Sequence, residues 1–312
     1  MLNLNEIQKA RTRIDSYVHY TPVLTNKSLN KLTEAELYFK CENFQKSGSF
    51  KIRGAANAVL QLKADELKRG IVTASSGNHG AALSMIVSKL ESEIKVVMPK
   101  NTSKIKIDNV KRNGGEIVWC DSNQSSREKV LNNIIKETKS VLVHPYNDRY
   151  VILGQGTVAL EFMEEHKDLD IIVSPISGGG LLSGTICSAK AINNKIKVYG
   201  AEPIEADDAY RSILSGKIET NNTTNTICDG LRAQLGSITF PIIKDEIDGI
   251  FTVNENEIIY SMRLIWETMK IIVEPSCSIT LAAVLKNKNI FRGKKVGLIL
   301  SGGNVDLNDL PW

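Results

Sequence analysis

The sequence predicts an α/β fold built on parallel sheets, and three observations lead there. Short β-rich runs alternate with helix-length segments across most of the chain, the pattern of βαβ units. Several of these runs end in glycine- or serine-rich turns that open the next helix. The chain has 312 residues, 42% hydrophobic and 24% charged, which suits one large or two medium domains with a substantial core.

In chain order, Asn5 to Tyr17 reads as a helix, followed by the extended X-Pro step Thr21-Pro22-Val23-Leu24. Leu37 to Cys41 is strand-like, and a helix is expected from Ile52 to about Leu67. Then comes the regular alternation. Strands are expected at Ile71–Ala74, Ile94–Met98, Glu116–Cys120 and Val141–Val143. Between them, helices are expected from the turn at Gly80 to about Leu90, over Thr102–Arg112 and over Ser126–Lys139. A helix over Val151–His166 leads to a strand over Asp170–Ile176, a helix over Leu181–Ile192 and a strand over Lys197–Gly200. Asn254 caps a helix running to Met269, and Gly293–Leu300 carries the last strand. The βα block at 70–147 reads as a small domain inserted into a larger one made of 1–69 and 148–312. The polar stretch Glu219–Thr226 is expected to be a long loop.

Composition narrows the function classes. The net charge is only +4, with no dense basic block carrying interleaved aromatics, so nucleic acid is not an expected partner. Five scattered cysteines without a CxxC pair read as reduced thiols rather than a disulfide or zinc framework. No apolar run has membrane-spanning length, and the charged N-terminus lacks an apolar signal core. A cytoplasmic enzyme that does not bind membranes is expected.

Chemistry is signalled at four places. Lys51, in Ser49-Phe50-Lys51-Ile52-Arg53-Gly54, stands at a helix start. The helix dipole disfavours a cation there, so its amine tends toward the neutral form that carbonyl chemistry needs. An arbitrary lysine, by contrast, is a solvated surface charge. Ser177-Gly178-Gly179-Gly180 lies at a strand-to-helix junction. One glycine would satisfy a tight turn, whereas three leave backbone N–H groups bare at a helix N-terminus, a phosphate cradle. No Gly-Lys-Ser/Thr follows, so it is not a Walker loop. Ser75-Ser76-Gly77-Asn78-His79-Gly80 offers donors for an anionic oxygen, or ordinary helix capping. Ser301-Gly302-Gly303-Asn304 is a third such turn. In open α/β sheets ligands bind beyond the carboxyl ends of the strands, so these three turns are expected at one crevice.

Taken together, these segments resemble fold-type II pyridoxal-phosphate (PLP) enzymes, which share the tryptophan synthase β-like fold, and within them the serine/threonine dehydratase and serine racemase branch. Gly154-Gln155-Gly156-Thr157, Gly200-Ala201-Glu202-Pro203 and Glu274-Pro275 extend the resemblance in order along the whole chain. It implies two open, twisted parallel-sheet domains with PLP in the cleft between them. Lys51 would hold PLP as a Schiff base, with Phe50 beside the ring. Asn78 would bond the 3-hydroxyl, and Ser177, Gly178, Gly179, Gly180 and Leu181 would hold the phosphate. Ser301 would face the ring nitrogen, a neutral partner that suits expulsion of a β-hydroxyl.

The implied reaction is α,β-elimination. Freed Lys51 removes the α-proton of L-serine, L-threonine or a related 3-hydroxy amino acid, the β-hydroxyl leaves, and a 2-oxo acid and ammonia result. Ser75, Ser76 and His79 would bind the substrate carboxylate, and Arg127 would close over the substrate. The alternatives are serine racemase with dehydratase side activity and 3-hydroxyaspartate ammonia-lyase. Ser76 carries the racemase reading, because that branch uses a serine there as acid/base on the face opposite Lys51. Asp229-Gly230-Leu231-Arg232-Ala233 looks more like bacterial dehydratases. Glu274-Pro275-Ser276-Cys277-Ser278 departs from the usual family pattern. By spacing alone Glu202, Ala206 and Asp208 read as an acidic loop before a helix. Racemase-branch proteins carry a divalent ion at the matching positions, so the resemblance implies Mg²⁺, Ca²⁺ or Mn²⁺ there. A homodimer is the family expectation, and the end of the chain soon after Ser301 implies no C-terminal regulatory domain.

Overall fold

The computed structural model describes residues 2–75 and 77–312. Among the described residues, ten strands form two sheets. They are β1 (Val23–Thr25), β2 (Glu36–Cys41), β3 (Ile71–Ala74), β4 (Ile94–Pro99), β5 (Glu116–Cys120), β6 (Val141–Leu142), β7 (Ile171–Pro175), β8 (Lys197–Pro203), β9 (Gly249–Val253) and β10 (Lys295–Leu300). The larger sheet has the order β1-β2-β10-β7-β8-β9, the smaller β5-β4-β3-β6. Among the strand pairs of the described residues, β1–β2 is antiparallel and the others are parallel.

Side-chain alternation explains why the larger sheet is covered on both faces. Ile171, Val173, Leu298 and Leu300 join the core under helices Glu255–Met269 and Pro275–Lys286. Their neighbours Ile172 and Ile299 join the opposite core, against helices Arg149–Glu165 and Gly180–Ile192. A strand with period-2 side chains feeds two cores only if both faces are apolar, as these runs are. The small sheet is built the same way. Ile71, Ile94, Val96 and Met98 pack toward helix Asn78–Lys89, and Val72 and Val97 pack with Ile134 of helix Gln124–Thr138. Helix Lys51–Val59 contributes Ile52, Ala55, Ala56 and Val59 to the same core as the small sheet. Lys51 therefore stands where the two layers of the molecule meet.

The structure differs from the sequence expectations in a few places. The helix expected over 52–67 is two helices, Lys51–Val59 and Ala64–Lys68. The Glu66 carboxylate accepts the Lys63 N–H at 2.8 Å and starts the second one. The strand β9 and the helix opened by Pro275 were not anticipated; the latter begins with proline at its first turn, where no N–H is needed. Among the described residues all five cysteines are free. No described helix is long and apolar enough to cross a membrane.

Candidate active site

The site grows from the Lys51 turn. Ser47 and Gly48 both have positive φ, 62° and 73°. A Cβ on Gly48 would lie 2.3 Å from the Asn304 side-chain oxygen, so glycine is required there. This turn is tied to the end of β10. Phe50 N donates to Ser301 O at 3.1 Å and Gly303 N to Gly48 O at 3.0 Å. Lys51 and Ser301, 250 residues apart in sequence, are thereby locked side by side.

Lys51 is half-buried, and its Nζ donates to the Pro145 carbonyl at 2.9 Å. Its Nζ lies 5.1 Å from the Phe50 ring centroid. Burial pushes the Lys51 pKa down to about 8, against the pull of the Glu274 carboxylate. His79 and His144 stand close by, and both are driven toward the neutral form by burial first and by the Lys51 charge second. His144 falls to about 4, its Nδ1 accepting the N–H groups of Tyr146 and Asn147 at 3.3 and 2.9 Å. Among the described residues, the His79 ring has one hydrogen bond, through Nε2 to the Val143 carbonyl at 3.3 Å, and its buried Nδ1 has no partner.

The glycine-rich turn after β7 lies against Tyr146, the residue that follows Pro145. Gly179 has φ 88° and caps helix Gly180–Ile192. A Cβ on Gly178 would stand 2.4 Å from the Tyr146 ring, and one on Gly180 3.0 Å from the Tyr146 Cβ. The first N–H groups of the helix have no intrahelical acceptor. The three glycines therefore leave a bare backbone cradle with Tyr146 laid across it, which fits a phosphate. Ser177 exchanges hydrogen bonds with Ala233: Oγ accepts the Ala233 N–H at 3.1 Å and donates to its carbonyl at 3.3 Å. Thr239 Oγ1 donates to the Gly178 carbonyl at 2.7 Å.

The turn after β3 is drawn to the same place by Glu274. Asn78 Nδ2 donates to both Glu274 oxygens, at 2.9 and 3.2 Å, and Asn78 Oδ1 accepts from Asn304 Nδ2 at 2.8 Å. Glu274 is buried, and desolvation raises its pKa while Asn78 and two lysines, Lys106 and Lys51, oppose the rise. A Cβ on Gly302 would lie 2.7 Å from Glu274 Oε1, which explains the glycine after Ser301. Ser75 Oγ accepts the N–H groups of Gly77 and Gly80, at 3.4 and 3.3 Å, and so shapes its own turn. Ser76, expected from the resemblance as the acid/base opposite Lys51, lies outside the described residues. Arg127 is half-buried beside Cys120 and Tyr146, with a buried Nε that finds no partner.

Glu202, near the end of β8, gathers with Ala206 and Asp208 just beyond it. The Glu202 carboxylate accepts the Ala209 and Tyr210 N–H groups, at 3.1 and 2.9 Å, and so caps helix Asp208–Ser215. Burial first and Asp208 second raise its pKa well above the carboxylate range. Asp208 is 1% exposed and is raised by burial to about 6. Its Oδ1 accepts from Asn221 at 2.5 Å, and its Oδ2 has no partner. Two buried acids facing each other with an orphaned oxygen fit a cation. Among the described residues, no group of three or more His, Cys, Asp or Glu could hold a metal by itself, so carbonyls and water would have to complete the shell.

Sequence reasoning missed Glu274 as a site residue, and also His144, Tyr146, Lys106 and Thr239. A Glu-Pro step opening a helix was the only local sign of Glu274. The others reach the site from turns or helices whose spacing carries no signal of it.

Comparison with known proteins yields a family model described as pyridoxal-phosphate dependent enzyme, which matches residues 14–302. The chain is 49% identical to a serine racemase of Dictyostelium discoideum, covering 99% of this chain and 97% of that protein. It is 44% identical to a β-hydroxyaspartate dehydratase of Paracoccus denitrificans, covering 97% and 96%. The solved structure of maize serine racemase superposes with a TM-score of 0.96 at 44% identity, over 98% of this chain and 94% of that one.

Proposed function

The chain belongs to the pyridoxal-phosphate dependent enzyme family, and from that premise we propose that it is a serine racemase that also eliminates the β-hydroxyl of its substrate as an ammonia-lyase. Of the two leading readings of the sequence, the relatives favour racemisation over elimination as the main outcome. The observation that carries an amino-acid reaction is the Lys51 amine, half-buried with a pKa of about 8, between the Phe50 ring and the Pro145 carbonyl.

When bound, pyridoxal phosphate supplies the electron sink that makes an α-proton removable. The chain's own residues do the rest. Ser177, Gly178, Gly179, Gly180 and Leu181 hold a phosphate by backbone N–H groups. Ser301 presents a neutral hydroxyl to a ring nitrogen, Asn78 an amide to a ring oxygen and Phe50 a packing face. Ser75, Ser76 and His79 take the substrate carboxylate, His79 through its backbone N–H in the first turn of helix Asn78–Lys89, since the one N–H of its neutral ring is held by the Val143 carbonyl. Arg127 closes over the substrate. Lys51, with a pKa close to neutral, exchanges a proton with the substrate α-carbon on one face. Ser76 exchanges one on the opposite face, and loss of the β-hydroxyl is the competing outcome.

Ser76→Ala should therefore lower racemisation of L-serine by about 10²–10⁴-fold, the range of a general acid/base, and spare elimination. Chiral analysis of serine alongside 2-oxo acid assay checks this, and an equal fall in both products removes Ser76 from the role. Glu202, the Ala206 carbonyl and Asp208 are the proposed ligands of Mg²⁺, Ca²⁺ or Mn²⁺. Supporting them are the orphaned Asp208 Oδ2 and the mutual charge of two buried acids. Adding Mg²⁺ at about a hundred times its dissociation constant should stabilise the protein by about 2.7 kcal/mol, read as a rise in Tm that chelator reverses. Asp208→Asn should abolish that rise; an undiminished rise places the ion elsewhere. The resemblance also supports a cytoplasmic homodimer with the two sheets as its domains. The second reading is a 3-hydroxyaspartate ammonia-lyase, favoured by the similarity to the Paracoccus dehydratase.

A further inference from the structure

Gly178, Gly179 and Gly180 must be bare for their backbone to act as donor, yet glycine is the residue least committed to one backbone conformation. The peptide between Gly178 and Gly179 has no Cβ on either side to fix its plane. If that plane turns over, the Gly178 carbonyl faces the phosphate in place of the Gly179 N–H.

Thr239 supplies the missing restraint. It opens helix Thr239–Glu246 and is fully buried. Its Oγ1 donates to the Gly178 carbonyl at 2.7 Å and accepts the Gly236 N–H at 2.9 Å. The Gly236 carbonyl is further off, at 3.3 Å, so the single hydroxyl proton goes to Gly178. A Cβ on Gly179 would lie 2.9 Å from both the Cβ and the Oγ1 of Thr239, which sets this side chain directly against the peptide in question. Among the described residues no peptide is cis. In a planar trans peptide the N–H points away from the C=O. A Gly178 carbonyl held by Thr239 therefore turns the Gly179 N–H to the side away from Thr239. The seat of the hydroxyl is itself fixed. The N–H of the preceding residue, Ile238, donates to Asn147 Oδ1 at 2.8 Å, and Asn147 follows the Tyr146 ring that lies over Gly178.

We propose that Thr239 is a positioning residue of the phosphate cradle: its hydroxyl holds the Gly178 carbonyl so that the Gly179 N–H is aimed at the cofactor phosphate. This deepens the reading of the site as one for pyridoxal phosphate and rests on it. Thr239 acts through the backbone, not by contact with the phosphate. Without the hydroxyl, the buried Gly178 carbonyl loses this partner and the Gly236 N–H loses its acceptor. The carbonyl then gains by turning toward the open cradle and water, where its oxygen repels a phosphate.

The test uses full-length protein freed of cofactor. It is titrated with pyridoxal phosphate and, separately, with pyridoxal, which has the same ring and aldehyde but no phosphate. The visible band gives both dissociation constants, and inorganic phosphate is titrated as a competitor. Thr239→Val keeps the shape and removes the hydroxyl. It should weaken binding of pyridoxal phosphate by about tenfold to a hundredfold, the range of a hydrogen bond to a charged group, and leave pyridoxal unchanged. Inorganic phosphate should compete less well by a similar factor. Thr239→Ser keeps the hydroxyl and should restore most of the loss. A ratio of the two constants that is unchanged in Thr239→Val overturns the proposal, whether both constants hold or both worsen together. So does a Thr239→Ser protein that binds pyridoxal phosphate no better than Thr239→Val. If Thr239→Val fails to fold, Thr239→Ala, which puts no carbon against the carbonyl, decides by the same ratio. Wild-type protein separates the two levels. If it forms no band with pyridoxal phosphate, the cofactor site falls as well; a band with an unchanged ratio in the variant overturns only the role of Thr239.

Discussion

Lys51→Ala should abolish turnover of serine while leaving the fold intact. The expected loss in kcat/KM is at least about 10⁴-fold, the upper end of what one general acid/base supplies, since Lys51 is also assigned the covalent link to the cofactor. The visible absorbance of a lysine-bound aldehyde should vanish with it. The structural cost should be small, because the Lys51 side chain makes one hydrogen bond, to the Pro145 carbonyl, and burial already opposes its charge. Unchanged absorbance in the variant would place the aldehyde-binding amine elsewhere. Chemical reactivity supports the same reading. An amine with a pKa of about 8 is neutral in about a tenth of molecules at pH 7, whereas an ordinary lysine is neutral in fewer than about one in a thousand.

Two residues further along the same helix, Arg53 should dominate stability rather than chemistry. Its guanidinium is fully buried and bonds Glu42 through Nε at 2.7 Å and Nη2 at 2.8 Å. It also bonds Glu161 at 2.7 and 2.8 Å, and Lys40 reaches the same Glu161 at 2.8 Å. These four side chains join helix Lys51–Val59 to β2 and to helix Arg149–Glu165. Arg53→Met should cost about 3–5 kcal/mol, because it strands buried carboxylates whose charge nothing else fully answers. The cost should depend on pH in a defined direction. Although burial opposes it, the guanidinium holds the Glu42 carboxyl below its ordinary 4.5. Glu42 thus contributes stability that is present above its unfolded pKa and is lost as pH falls through the folded one. In the variant that depression is gone and burial pushes the carboxyl up instead, so protonation relieves the strain. The difference in urea midpoint between variant and wild type should therefore be wide at pH 7 and narrower near pH 4. Equal differences at both values would mean that lost packing, not stranded charge, sets the cost.

The placement of these two residues shows how far the sequence could be read. Lys51 was identifiable because a strand, a turn with Gly48 and a helix start leave a local pattern, and because resemblance supplied its role. Arg53 looked like any helical arginine. Its partners Glu42 and Glu161 come from distant segments, and no periodicity brings them together. Glu274 is the same case within the site. It gathers Asn78, the loop at Gly302 and the charges of two lysines, yet in sequence it is one acid before a proline.

The sequence by itself determined the alternation of strands and helices, the glycine-rich turns at strand ends and the family to which they belong. Each of these is written in local spacing: period-2 apolar runs, positive-φ glycines, three bare backbone groups at a helix start. Only the tertiary structure decided that Tyr146 lies over the Gly178 cradle, that Glu202 caps a helix beside an orphaned Asp208 oxygen, and that Lys106 pairs with Asp229 across the cleft. The reason is physical. Burial and charge pairing depend on which segments the chain folds together, and desolvation, absent from any single stretch of sequence, turns an ordinary lysine into an amine with a pKa of about 8.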